Sequence, residues 1–378
     1  NTDSSGNVAI GHFALRQGSG GSSRDYNVAI GQDAMRNANP HVSIAIGYNA
    51  GSYLKNGATG AIHIGHEAGR YASGSYNVSM GYNALKGTSS APYSTGEDNV
   101  AIGRQALISF TDGSDNIAIG YQSAYSLTTS NMVIAIGHSA AYSFTGGRGY
   151  GVYIGRMAGY SETGAYNDTM LGNGAGQYQN LGGIGGTYSY NTNLGYRAGY
   201  TNVTGTSNTY VGNEAGISRT GGSNVAVGAD ALFGGGVGGI SSGAANVAVG
   251  VTAGAYVQGN NTTHIGTYAG RFASGSNNVS VGYQAGRGGT TSAPYSTGTN
   301  NTAIGYEALY GFTSAEGNTA IGHQASMDVT TGGYNTSLGY RAGYNLTSGG
   351  QNTALGAYSL YNSQTVSYDT AIGYGALM

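Results

Sequence analysis

One string constrains this chain more than any other: Asn7-Val8-Ala9-Ile10-Gly11, which returns in altered form to the end of the sequence. Aligned on its glycine, the string has 21 copies, through Gly11, Gly31, Gly103, Gly120, Gly305 and Gly322 to Gly373, mostly 16–18 residues apart. A unit this short cannot hold a helix pair, and it lacks the i, i+3, i+4, i+7 apolar spacing of an amphipathic helix. What fits is a parallel β-solenoid or β-roll, one coil per copy, each stacked on the next at about 4.8 Å. Twenty-one coils predict a single repetitive domain over 1–378, a rod of roughly 100 Å.

Each aligned column reads as a physical requirement. One residue before the glycine, every copy carries Ile, Val, Leu or Met; three before it, every copy carries Val, Ile or Thr. Residues two apart share a face of a strand, so these columns are expected to point into the coil. The column between them is Ala in 12 copies and Ser in three, and is therefore expected to face outwards. Small outward residues on a thin-cored coil lead to a further expectation, that chains pack lengthwise on copies of themselves as a trimer. Four before the glycine, 14 copies carry Asn, including Asn99, Asn116 and Asn318. A turn residue there can also link its amide to the copies above and below. The glycine itself implies a backbone angle or a close approach that a Cβ would forbid.

Composition enters where it excludes partners. With 14 basic and 16 acidic residues the formal charge is −2, which offers no footprint for a nucleic-acid backbone or an anionic membrane. No apolar run reaches the ~20 residues of a membrane-spanning helix. The absence of Cys removes disulfides and thiolate metal sites. The 72 glycines carry no every-third-residue period, so collagen is excluded.

A longer period overlies the short one. Ala68 to Ser75 returns as Ala269 to Ser276, and Ser90 to Gly96 as Ser292 to Gly298, implying duplication of roughly 1–178 as 202–378. The chain opens on Asn1-Thr2-Asp3 and stops inside a coil at Leu377-Met378, so we expect a fragment or processed product whose stack continues in more protein or another molecule.

The Asn-Val-Ala-Ile-Gly-x-x-Ala units at 27–34 and 99–106 resemble the head repeat of trimeric autotransporter adhesins. Residues 301–309, Asn-Thr-Ala-Ile-Gly-Tyr-Glu-Ala-Leu, are similar to repeats of phage tail fibres. The resemblance implies a left-handed parallel β-roll assembled as a trimer. The present coil is longer than the adhesin repeat, Asn or Thr replaces its Ser, and no heptad stalk, neck or outer-membrane anchor is visible in this stretch.

Candidate contacts lie beside the repeat. The residue after the glycine is Tyr at Tyr48, Tyr82, Tyr121, Tyr196, Tyr283, Tyr306, Tyr340 and Tyr374, and His at His12, His66, His138 and His323. Stacking lines these up as a ladder that either meets a glycan or receptor or stabilises itself by ring packing. The insertions 86–98, 181–190, 233–244 and 288–300 are loops on a rigid scaffold, with Tyr93 and Tyr295 the first contacts to test. His63 and His66 lack a completing ligand set, so no metal or other cofactor is expected. Glu97 and Asp98 become Thr299 and Asn300 in the duplicate, leaving no recurring acid pair for hydrolysis. The expectation is a non-catalytic extracellular fibre shaft or head for adhesion, on a phage tail or bacterial surface. The alternatives are a self-assembling structural filament without a specific ligand and a polysaccharide-degrading spike.

Overall fold

The computed structural model describes residues 5–16, 25–54, 58–90, 93–146, 149–163, 167–179, 188–234, 241–292 and 295–378. Among them every repeat contributes one three-residue strand, and no helix forms. The fold is an all-β parallel solenoid. Its coils gather into two compact units, 1–190 and 191–378.

The first unit holds β1 (Val8–Ile10), β2 (Val28–Ile30), β3 (Ile44–Ile46), β4 (Ile62–Ile64), β5 (Val78–Met80), β6 (Val100–Ile102), β7 (Ile117–Ile119), β8 (Ile134–Ile136), β9 (Val152–Ile154) and β10 (Thr169–Leu171). The second holds β11 (Thr192–Leu194), β12 (Thr209–Val211), β13 (Val225–Val227), β14 (Val247–Val249), β15 (Thr263–Ile265), β16 (Val279–Val281), β17 (Thr302–Ile304), β18 (Thr319–Ile321), β19 (Thr336–Leu338), β20 (Thr353–Leu355) and β21 (Thr370–Ile372). Within each unit consecutive strands pair in parallel and in strict register, Val28 on Ile44 and Ala29 on Ala45 in one, Thr302 on Thr319 and Ala303 on Ala320 in the other. Insertions between coils leave this register untouched.

Which side of the strand is inside differs from expectation. The central residue is the buried one: Ala29, Ala45, Ala101, Ala118, Ala226 and Ala248 are all 0% exposed. Its neighbours, the Val, Ile, Leu and Thr columns, are half-buried or exposed and form the outer strand face. The reason is the width of the coil. A circuit of about 17 residues brings the strand close to the turn opposite, and only a small side chain fits facing it.

Six inward positions nevertheless carry larger residues, and each is matched four residues beyond the landmark glycine. His63, Tyr153, Met170, Asn193, Tyr210 and His264 have Gly69, Gly159, Gly176, Gly199, Gly216 and Gly270, whereas Ala101, Ala226, Ala303 and Ala354 have Leu107, Leu232, Leu309 and Leu360. A Cβ on Gly216 would lie 2.6 Å from the Tyr210 ring, and one on Gly199 2.5 Å from Asn193 Oδ1. In these ten coils a large residue on one side of the core is therefore offset by a small one on the other. Two alanine coils carry glycine because the next coil needs the room: the positions of a Cβ on Gly51 and Gly254 are 3.2 and 3.0 Å from Cδ2 of His63 and His264. Seven residues beyond the glycine runs a second core column, Phe110, Leu127 and Phe144 in the first unit and Phe312, Val329 and Leu346 in the second, all buried.

The turns are hydrogen-bonded between coils as fully as the strands. Val28 N–H donates to the Ser43 carbonyl and Gly31 N–H to Ile10, while outside the strand Asp33 N–H donates to His12 and Met35 N–H to Ala50, at 2.7–2.9 Å. To aim these groups, Asp33 and Met35 take φ of 58° and 51°, and the equivalent residues of other coils do the same. Such left-handed angles cost a non-glycine residue ~1–2 kcal/mol, offset here by inter-coil bonds. The landmark glycine is required twice over. Gly31 and Gly120 have φ of 127° and 134°, and a Cβ on them would meet the carbonyl of Gly47 or Gly137 at 2.7 or 2.5 Å. The buried Asn column forms a polar ladder: Asn116 Oδ1 accepts from Val133 N–H at 3.0 Å, and Nδ2 donates to Asn99 Oδ1 and the Ser130 carbonyl at 2.9 and 2.8 Å. Asn318 repeats the scheme in the second unit, on Asn301 and Gly332.

Candidate functional site

Just past the landmark glycine the chain leaves the strand, and its side chains point away from the core. In the first unit this brings Tyr48, His66 and Tyr82 into one file, with centroids 5.1 and 5.0 Å apart. Tyr121 and His138 form another pair at 5.0 Å. The second unit carries the longest run, Tyr283, Tyr306, His323 and Tyr340 at 5.3, 4.9 and 5.2 Å, all stacked. Stacking at this separation covers the faces of the inner rings, so the ladder offers ring edges and hydroxyls to solvent. A sugar ring lying flat on an inner member is excluded.

Tyr93 and Tyr295 fold back onto the coils rather than standing free. Tyr93 packs at 5.1 Å from Tyr53 and 5.8 Å from Tyr71, and Tyr295 at 4.9 Å from Tyr256 and 5.9 Å from Phe272. The returning loops are pinned next door: Ser94 pairs with Ala72 and its hydroxyl donates to the Phe110 carbonyl at 2.7 Å, and Ser296 pairs with Ala273. Residues 91–92 and 293–294 of these loops, and 181–187 and 235–240 of the two glycine-rich insertions, lie outside the described residues.

A second aromatic file, which the sequence columns did not predict, lies five residues past the glycine. Tyr125, Tyr142 and Tyr160 stack at 4.9 and 5.0 Å in the first unit, and Tyr344 on Tyr361 at 5.2 Å in the second. Burial between neighbours, with Tyr125 and Tyr160 next in weight, raises the Tyr142 hydroxyl above its ordinary pKa. Guanidinium groups edge these files, Arg271 and Arg287 both over Phe272 at 4.9 and 4.8 Å. In the first unit Glu67 holds Arg70 and, at 2.7 Å, Lys86. Burial alone would raise this carboxylate, but the two cations hold it below its usual range. A small cavity of about 120 Å³ opens beside Tyr256, between Asp230 and Arg271.

The histidines of His63-Ile64-Gly65-His66 do not converge. His63 points inwards and shares a hydrogen bond of 2.8 Å with Ser79 Oγ, whereas His66 stands in the outer ladder. Burial lowers the His63 and His264 imidazoles to about 4, so both are neutral at pH 7; Arg219 adds to the effect at His264. Among the described residues no three His, Cys, Asp or Glu side chains gather as a metal set. Four buried polar residues interrupt the apolar core column: Glu162 and Gln179 in the first unit, Asn202 and Arg219 in the second. Gln179 Nε2 lies 2.6 Å from Asp168 Oδ2 and 3.4 Å from Glu162 Oε2, joining two carboxylates that no sequence motif linked. Both are sealed from solvent, so this pair cannot act on an external substrate. Arg219 donates to the carbonyls of Val257 and Gly243 at 2.9 and 3.0 Å. Reading this column for polarity would have found all four.

The arrangement is suited to binding along aromatic and polar strips. Comparison with protein-family models, curated proteins and solved structures finds no match to the chain.

Proposed function

We propose that this chain is a non-catalytic, extracellular fibre segment, a shaft or head that carries adhesive contacts on a phage tail or bacterial surface. Copies of it pack lengthwise as a trimer, through the outer strand face and not through the alanines. The observation that carries this reading is the outward exposure of the Val, Ile, Leu and Met columns, Met80 at 41% and Leu338 at 44% among them. In-register stacking turns the column before the landmark glycine into a continuous apolar stripe, doubled where the other outward residue is Val or Ile rather than Thr. Monomeric proteins rarely leave apolar patches beyond a few hundred Å² uncovered, and covering one gains roughly 25 cal/mol per Å². The likeness of the repeat to trimeric adhesin heads favours three copies over two. The ladders and loops then face outwards, toward a glycan or receptor.

Light scattering over a concentration series tests the assembly. A constant mass of three chains of 38.0 kDa is the expected result. A monomer at every concentration overturns the reading, and growth without limit replaces it with the self-assembling filament.

A further inference from the structure

In the second unit, four successive coils line an open groove of about 470 Å³ with residues that belong to none of the aromatic files named above. We infer that it is a binding site for an extended, uncharged polysaccharide lying along the direction in which the coils stack. Its floor is made by Gly333 and Gly350. A Cβ on Gly350 would lie 2.9 Å from the Gly333 carbonyl oxygen and one on Gly333 3.1 Å from that of Glu316, so these glycines let successive coils approach closely and send no side chain into the groove. One wall carries Tyr334, Gln351 and Tyr368, one residue from each successive coil. Their N–H groups donate to the carbonyls of Glu316, Gly333 and Gly350 at 2.9, 2.9 and 3.1 Å, which locks the register, and φ of 60°, 61° and 67° sets all three alike. The lining also repeats a hydroxyl at the same period, Ser314, Thr331 and Ser348.

This pattern selects a ligand. Tyr334 and Tyr368 are 59% and 78% exposed, and two coil rises, about 10 Å, separate their positions. An extended glycan whose alternate rings face the same way presents ring faces at the spacing of a disaccharide, which that interval suits. Aromatic rings take the apolar face of a pyranose, and Gln351 with the row of hydroxyls meets its equatorial hydroxyls. Glu316 is the groove's one charged side chain, and it already accepts the Tyr334 hydroxyl at 2.6 Å. A polyanion therefore finds no cation and a polycation no free acid. Unlike the ladder members, neither Tyr334 nor Tyr368 stacks on another described ring: Tyr334 rests instead on Gly317, whose Cβ position is 2.7 Å from it.

The inference deepens the adhesive reading by naming a target class. Full-length protein is titrated calorimetrically with cellohexaose, chitohexaose and a galacturonic acid hexamer. The expected result is binding of an uncharged hexasaccharide, weakened about tenfold by Tyr368→Ala through loss of one ring platform. Ser348→Arg, which fills the groove without touching a ring, abolishes it; circular dichroism checks that both variants keep the fold. Absence of binding by both uncharged sugars, unchanged affinity in both folded variants, or preference for the galacturonic acid hexamer overturns the proposal. Molecular mass measured on the same samples separates the two readings: a trimer that binds no sugar loses only the groove, and a sugar-binding monomer loses only the assembly.

Discussion

The imidazole of His63 fills the space that a Cβ on Gly69 would need. The two residues are one packing unit, and the chain uses the reverse arrangement, Ala101 with Leu107, two coils on. Gly69→Leu alone should destabilise the first unit by about 3 kcal/mol through overpacking. His63→Ala with Gly69→Leu rebuilds the alternative pair and should recover most of that loss, a coupling of ~2 kcal/mol by urea denaturation. Additive losses would show the pairing to be accidental.

Acid should weaken the fold through the two buried histidines. Both are held at about 4 in the folded chain against 6.5 for a free imidazole. Between those values the unfolded chain binds the extra protons, so stability falls as pH drops from 6.5 to 4 and is flat for these groups above and below. The full loss is roughly 3 kcal/mol for each. His63→Met with His264→Met should remove this slope in denaturation curves at stepped pH, because Met170 already occupies the same column opposite Gly176.

Arg219 is a buried charge whose acceptors do not depend on it. The Val257 carbonyl also accepts from Ser241 Oγ at 2.7 Å, and the Gly243 carbonyl from Asn224 Nδ2 at 3.1 Å. Burial lowers the guanidinium's pKa, with Tyr210 opposing. Arg219→Met should therefore be neutral or stabilising in a thermal melt, whereas Arg219→Ala leaves a cavity and should cost about 2–4 kcal/mol.

The asparagine ladder predicts graded losses. Asn116→Ala strands Val133 N–H and removes one donor from the Ser130 carbonyl, and should cost about 2–3 kcal/mol. Asn116→Ser should cost less, because a hydroxyl in this column can still accept, as Ser43 Oγ does from Ala61 N–H at 3.2 Å. Chemical denaturation ranks the two.

Neighbouring strand residues should behave in opposite ways. Ala118→Asp places a carboxylate in the core and should cost several kcal/mol, visible as loss of the cooperative melt. Ile119→Asp stands on the outer face and should lower the mass seen by light scattering while keeping a cooperative melt, shifted only by the stabilisation that assembly had contributed.

Much of the architecture was legible because each coil repeats the same local demands. The strand positions, the need for glycine at Gly31 or Gly120 and the register of Tyr283, Tyr306 and Tyr340 all follow from columns at constant spacing. Contacts that cross columns were not legible. Tyr93 reaches Tyr53 only because an insertion turns back, and Gln179 meets Asp168 across eleven residues. The groove at Tyr334 and Tyr368 lies along columns whose residue types vary from coil to coil, Glu316, Gly333, Gly350 and Ser367 in one and Tyr334, Gln351 and Tyr368 in the next, so no single residue type marks it.

By itself the sequence determined the period, the parallel stacking of short strands and which residues share a face. Alternation cannot say which of two faces is inside when both carry apolar groups, and Val-Ala-Ile reads equally well either way. Tertiary structure decided it through the width of the coil. Opposite walls come so close that alanine faces in, a larger residue is admitted only where a glycine yields the space, and the branched side chains are left outside.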